Sequence, residues 1–324
     1  MRPLTARRGP RRGPDQARSP ERERGFVLII VLSVIGLLAL AAAGFAQITR
    51  SQVRAATGTV GSTTAQALAD TGVQVAILDL VLARQDPGYR ARLQVGDKPY
   101  LCDAGDNGRL ALAITDEAGK VDLNAADERL LRALLAGVGA VASEAVADAI
   151  IDYRDDDNVK RPQGAERDEY SAAGRPGPKN AWFSAVEEIE QVLGIDSDLA
   201  ARLRPHVTVY TGQPGIDQAS ASRQLVGILM RGLNNDSGPP PTDSPDANDD
   251  PSSMLPKLPF QSAPGRRFFQ VHAEAYARSS IFVRDAIIEL GQNRAKPYTF
   301  LRWRRGAVQF GGAVLNAASL DPCP

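Results

Sequence analysis

The chain has 324 residues, enough for two or three domains, and its 38 basic and 38 acidic side chains cancel. A zero net charge gives no whole-protein field to attract nucleic acid. The two histidines, His206 and His272, lie in no metal-ligand or catalytic spacing, and no Ser/His/Asp set, Cys/His set or phosphate loop is present, so the composition argues against an enzyme.

Residues 1–24 are Pro/Gly/Arg-rich, with eight Arg and three acidic residues. Phe26 to Ala46 then runs 21 residues without a charge or an amide. As a helix rising about 1.5 Å per residue, that stretch spans about the hydrocarbon core of a bilayer. Basic residues stay cytoplasmic, so the bulk of the chain is expected in the periplasm behind a single inner-membrane span. Three readings compete for the segment: a secretory signal peptide cut near Ala41-Ala42-Ala43, a plain anchor helix, and a processing site ahead of the apolar run at Gly25-Phe26. Basic residues, then Gly25, then Phe26 and an apolar helix resemble the prepilin signal of type IV pilins and pseudopilins. That resemblance implies cleavage after Gly25 by a prepilin peptidase and methylation of the Phe26 amine. The fifth residue from Phe26 is Ile30, where most pilins carry Glu; a carboxylate in lipid is costly without a partner, so Ile30 suits a subunit with nothing ahead of it in the filament.

Ile48, Val53, Val60, Ala67, Leu68, Val75, Leu78 and Leu82 recur at helical spacing, which predicts continuation of the helix over 47–83 with that stripe as its packed face. Asp86-Pro87-Gly88 ends it. Tyr100 to Ile114 reads as a hairpin around the Asp103–Gly108 turn cluster. From Val121 the pattern changes to helices, with Asp122, Asn124 and Asp127 as capping candidates and a break at Gly137-Val138-Gly139. A helical pair is expected between Ser184 and Leu203. Val121 to Leu134 aligns without gaps to Ile216 to Leu229, a weak internal repeat. Residues 234–264 hold eight prolines and five aspartates and read as a linker or surface loop. Phe268–Ala277, Ser280–Leu290 and Tyr298–Arg304 then alternate as three antiparallel strands, with turns at 279–280 and 291–297.

Strands before and after a helical block predict an α+β fold: a long N-terminal helix on an antiparallel sheet, with a large helical domain inserted into the sheet. The expected divisions are a leader at 1–25, a membrane half of the helix at 26–46 and a periplasmic half at 47–83. The sheet domain follows at 84–120, the inserted helical domain at 121–233, the linker at 234–264 and the rest of the sheet at 265–324. Cys102 and Cys323 both fall on the outward side, where they form either a disulfide or two free thiols.

One cluster carries chemistry. Asp152, Asp155, Asp156, Asp157 and Asn158 precede Arg161 to Glu166 in a turn-rich stretch. Hard cations such as Ca²⁺ take six to eight oxygens, and this density of carboxylates offers them. The spacing is not that of an EF-hand. The alternative is a solvated acidic loop salt-bridged to Arg154, Lys160 and Arg161.

Asp116 to Ala126, Asp152-Tyr-Arg-Asp-Asp-Asp157, Pro162 to Glu166, Tyr170, Asn180, Ser184 to Ile189 and Arg204 to Val209 together resemble the minor pseudopilin K family of type II secretion. The order holds from Phe26 to Trp303, and Ile30 agrees with it; the second repeat and the longer Pro-rich insert depart from it. The resemblance implies Ca²⁺ in the helical domain, with Asp155, Asp157 and Glu166 as ligands ahead of Asp152, Asp156 and Asn158. It also implies minor pseudopilins I and J, and other pseudopilins, as partners at the tip of a periplasmic pseudopilus that serves protein export. A rival from another class is a membrane-anchored DNA-binding protein or a tip minor pilin of a DNA-uptake system. Asp122 to Arg154 resembles a helix-hairpin-helix, whose glycine-rich turn offers N–H groups to phosphate. Here that second helix runs into Asp155-Asp156-Asp157, which repels phosphate, so no nucleic acid is expected.

Overall fold

The computed structural model describes residues 21–96, 98–234, 258–278, 280–293, 295–316 and 319–323. The leader up to residue 20 and most of the Pro-rich stretch therefore lie outside the described residues. Helix α1 runs Glu21–Gln85. The chain forms two units, divided at Val60 and Gly61. In the first, every residue from 26 to 60 is exposed. This is the one helix among the described residues long and apolar enough to cross a membrane.

In the second unit, α1 packs on a five-stranded antiparallel sheet of order β1-β2-β5-β6-β7. The strands are β1 (Tyr100–Asp103), β2 (Arg109–Asp116), β5 (Phe268–Ala277), β6 (Ser280–Asn293) and β7 (Lys296–Arg305). β2 pairs with β5 from Arg109↔Tyr276 to Asp116↔Phe269, so everything between them is inserted at one point of the sheet. The last strand pair is tighter than expected. β6 continues through Gly291, which lies against the Lys296 carbonyl so closely that a Cβ there would sit 1.8 Å from it.

The packed face of α1 meets the predicted stripe only in part, at Leu68 and Val75, which are half-buried against the sheet core. Val60 and Leu78 are exposed and Ala67 faces solvent, whereas Gly61, Ala65, Ala69, Gly72, Val73, Ala76 and Ile77 are buried. The reason is distance. A Cβ on Gly72 would meet Leu110 at 2.9 Å, and one on Gly61 would meet Ser280 Oγ at 2.9 Å. The sheet lies so near at Gly61 and Gly72 that small residues make the closest contacts, with Val73, Ile77 and Leu80 packed beside them.

The β1 edge is covered. Asp103 N–H donates to the Asp321 carbonyl, Cys323 N–H donates to the Asp103 carbonyl, and a Cys102–Cys323 disulfide fixes the segment there. The two cysteines are 221 residues apart, so in the chain-entropy account the closed loop contributes about 5 kcal/mol. A short helix, α7 (Gly311–Asn316), lies over the sheet face away from α1, where Val314 packs with Ala111 and Tyr276.

The insert has its own core, built around Leu130, Leu134, Ile150, Tyr153, Tyr170 and Ile189. Its elements are β3 (Val121–Asp122), α2 (Glu128–Gly137), α3 (Ser143–Arg154), α4 (Arg167–Ala172), α5 (Ser197–Leu203), β4 (Val207–Thr208) and α6 (Arg223–Asn234). Three details differ from expectation. Val121 opens not a helix but a two-residue strand parallel to Val207–Thr208; Asp122 turns the chain, and α2 begins only after Asp127 caps it by accepting the Leu130 N–H. The first member of the expected helical pair is a 3₁₀ helix, Val186–Gln191, pinned between extended residues at 185 and 192. Leu258 and Phe260, inside the stretch read as linker, are buried in this core.

The internal repeat is a structural one. Asp122 and the equivalent Asp217 each accept the N–H two residues on, from Asn124 and Ala219. The helices that follow, α2 and α6, cross at reciprocal glycines. A Cβ on Gly137 would meet the Ile228 carbonyl at 2.0 Å, and one on Gly232 would meet the Ala133 carbonyl at 1.8 Å. Gly137 and Gly232 are repeat partners 95 residues apart, as are Ala133 and Ile228, so the contact has local two-fold symmetry.

Candidate metal centre

Helix α3 buries Val146, Ile150 and Tyr153 in the insert core and ends at Arg154. Asp155, its C-cap, is extended, and its N–H still donates to the Ile151 carbonyl. The acidic turn therefore starts at a fixed point. Asp157 Oδ1 accepts the Val159 N–H at 2.7 Å, a local turn typical of Asp. The chain folds back at Pro162-Gln163-Gly164 and enters α4 after Glu166, whose N–H is held by Glu169 Oε2 at 3.0 Å.

Two buried carboxylates build this turn. Asp148 accepts from Arg161 Nε and from the Gln163 N–H, both at 3.1 Å. Asp152, fully buried, accepts the Arg161 N–H at 3.3 Å. Gly164 lies on Asp152 with no room for a side chain, since a Cβ would fall 1.9 Å from Oδ2. Burial pushes the Asp152 carboxyl up to about 6, against the backbone N–H groups of Arg161 and Ala165.

The fold brings Asp155, Asp157 and Glu166 together, with one oxygen of each within 4.8 Å of the others. Asp152 serves the turn instead, Asp156 is exposed and outside the group, and Asn158 Oδ1 accepts from Asn180 Nδ2 at 3.0 Å. Glu166 is only 6% exposed. Apart from the capping approach of the Glu169 N–H, neither Glu166 carboxylate oxygen has a hydrogen-bond partner, and Asp155 Oδ1 has none. Burial raises the Asp155 and Glu166 carboxyls above their ordinary values, and the neighbouring carboxylates add to it.

The basic residues of the loop are committed elsewhere. Arg154 donates to the Leu123 and Ala126 carbonyls. Lys160 pairs with Glu169, and Arg161 with Asp148 and Glu128. Among the described residues no salt bridge reaches Asp155, Asp157 or Glu166, so the ion pairs of the solvated-loop alternative are not made at these three.

A buried, a half-buried and an exposed carboxylate converge here, and Asp155 Oδ1 and the Glu166 oxygens are short of donors, which suits a cation. Two oxygens that share one Ca²⁺ at about 2.3–2.6 Å lie no more than about 5 Å apart, which these satisfy. The donors are all hard oxygens, with no His or Cys, which points away from zinc and toward Ca²⁺ or Mg²⁺.

The glycine-rich turn after α2 serves packing. Gly137 is the α6 contact, and its Cα faces the Ile228 carbonyl rather than solvent. Gly25 and Phe26 lie within α1 at the step from basic to apolar sequence.

Residues 109–212 match the family described as type II secretion system protein K. A type II secretion system protein K from Pectobacterium carotovorum subsp. carotovorum is 29% identical over 206 residues. The match to this family covers the segment from β2 to just past β4. The aligned part is 57% of the chain and spans 62% of that relative's length. Among solved structures, a chain of the GspK-GspI-GspJ complex from enterotoxigenic Escherichia coli is similar, with a TM-score of 0.50 and 19% identity over 80% of this chain and 99% of that one. That likeness is one of fold: a helix on a sheet, interrupted by a helical insert. The family match ends short of α6 and takes in the acidic turn.

Proposed function

We propose that this protein is a minor pseudopilin of a type II secretion system, anchored in the inner membrane by residues 26–46 with its bulk in the periplasm. Its role is structural. It occupies the tip of the pseudopilus, where it starts or caps assembly with minor pseudopilins I and J. The carrying observation is one helix, apolar over 26–46 and exposed from 26 to Val60, whose later part packs on an antiparallel sheet interrupted by an insert that the family match enters from β2. Ile30 and the width of the insert support the tip position, since a subunit with a large side domain and no acidic residue in its membrane helix has nothing stacked ahead of it. Asp155, Asp157 and Glu166 hold Ca²⁺, which bridges the end of α3 to the start of α4 and neutralises their mutual repulsion.

The test is co-purification from membranes of a host carrying the secretion genes, combined with mass spectrometry of the extracted chain. Minor pseudopilins I and J in the eluate, and N-methylated Phe26 as the first residue, support the reading. An intact leader, or a start near Gly44, contradicts it. A DNA-binding role has no structural support, because Gly137 is spent on the α6 contact and the second helix ends in carboxylates.

A further inference from the structure

A residue from outside the acidic turn closes on it. Asn180, in the segment after α4, donates from Nδ2 to the Asp157 carbonyl at 2.7 Å and to Asn158 Oδ1 at 3.0 Å. Both partners are acceptors, so they fix which end of the amide is the NH₂ group. The end left over is Oδ1, which is shielded from solvent and has no hydrogen-bond partner. It thus joins Asp155 Oδ1 and both Glu166 carboxylate oxygens as an acceptor short of donors around the same turn. The backbone supports this placement at a cost: Asn180 sits at φ +49°, a left-handed conformation that Asn tolerates better than most residues. The segment beside it is anchored independently, since Asn124 holds Phe183 by accepting its N–H at 2.7 Å and donating to its carbonyl at 3.0 Å.

We propose that Asn180 Oδ1 is a fourth side-chain oxygen for the cation held by Asp155, Asp157 and Glu166. This rests on the cation reading above. Ca²⁺ takes six to eight oxygens, and three carboxylates already bring more negative charge than the ion carries. A neutral amide oxygen raises the ligand count without adding repulsion. Asn180 also gives the ion a third chain segment, so filling the site ties the arm bearing the exposed Trp182 to the ends of α3 and α4.

The experiment uses the detergent-solubilised full chain, with Ca²⁺ titration calorimetry and Tb³⁺ luminescence lifetimes in H₂O and D₂O, which count the waters on the ion. Asn180→Gly removes the side chain while keeping the left-handed backbone relaxed. It should lose at least about tenfold in Ca²⁺ affinity, and bound Tb³⁺ should gain about one water. Asn180→Asp keeps an oxygen but loses the two donor hydrogen bonds, and should bind at least as tightly as the parent with unchanged hydration. A role in positioning alone predicts the opposite for Asn180→Asp, with a loss like that of Asn180→Gly. That result, or an Asn180→Gly protein with parental affinity and hydration, overturns the proposal. Asp157→Ala separates the two levels. If it abolishes binding while Asn180→Gly binds like the parent, the cation reading stands and only the Asn180 assignment falls; a parent that binds no Ca²⁺ overturns both. Matching melting curves in EGTA show that the variants fold.

Discussion

Two acidic clusters lie inside the folded unit, and the chain treats them in opposite ways. In the sheet, His272 is placed between Asp285 and Glu274, with Nδ1 2.6 Å from Asp285 Oδ1 and Nε2 2.9 Å from Glu274 Oε1. Both ring nitrogens face carboxylates, an arrangement that favours the doubly protonated, charged ring. Glu274 also accepts from the Tyr276 hydroxyl at 2.5 Å and from the Gln309 and Phe310 N–H groups. Every charge there is answered from within the fold. In the acidic turn, Glu166 is nearly as buried, yet beyond the capping approach of the Glu169 N–H no donor answers its carboxylate. The chain surrounds one buried carboxylate with four different donor residues and gives the other far fewer, which is the gap the proposed cation would fill.

Breaking the saturated cluster should have the largest effect. Glu274→Ala leaves the His272 ring, a hydroxyl and two N–H groups without their acceptor, and should cost about 3–5 kcal/mol in chemical denaturation. The loss should be the same in EGTA and in Ca²⁺. Indifference to Glu274→Ala would mean that the cluster is solvated in solution.

Glu166→Gln sharpens the contrast, because its sign should depend on the ion. Without Ca²⁺ it removes a buried, repelled charge and should raise stability by about 1–3 kcal/mol. With Ca²⁺ the parent should be the more stable. A loss of stability under both conditions would make the Glu169 N–H a full donor to Glu166.

The pH response is smaller and belongs to the sheet. Burial alone would lower the His272 pKa, but the hydrogen bonds to Asp285 and Glu274 outweigh it and raise it. Burial would raise Glu274, but donors from Tyr276, His272, Gln309 and Phe310 outweigh that and lower it. The His272 contribution is therefore full below its unfolded value of about 6.5 and is lost as pH rises through the folded value. The Glu274 contribution is full above about 4.3 and is lost as pH falls through its lowered value. From pH ~6.5 upward, stability should fall by at most about 1.4 kcal/mol per unit. His272→Gln should flatten that limb; an unchanged slope would assign the titration to another group.

The parts legible in the sequence were those with a repeating signal. Alternation marked β5, β6 and β7, and leucine spacing marked α2. The hydropathy stripe on α1 misled in part because it weights large residues, whereas the sheet accepts Ala65, Ala69 and Gly72 at short range. The two-residue strands at Val121 and Val207 are too short to show a period. In the acidic turn, carboxylate density was visible, but chain spacing does not say which carboxylate turns inward. Gly164 decides that for Asp152, through a contact that exists only once the turn has folded. Asn180 stood out only through the family resemblance, and nothing in its neighbours tied it to the turn, which it reaches from beyond α4.

The central claim is that the acidic turn is completed by Ca²⁺. Thermal melting of the full chain in detergent with EGTA, Mg²⁺ or Ca²⁺ tests it most directly. At a Ca²⁺ concentration about 100 times the dissociation constant, the parent should gain about 2.7 kcal/mol over EGTA. Mg²⁺ should add less, because it demands tighter octahedral geometry and keeps its waters. Asp157→Ala should melt alike under all three conditions. Superimposable EGTA and Ca²⁺ curves for the parent would contradict the account and leave the turn an acidic surface loop.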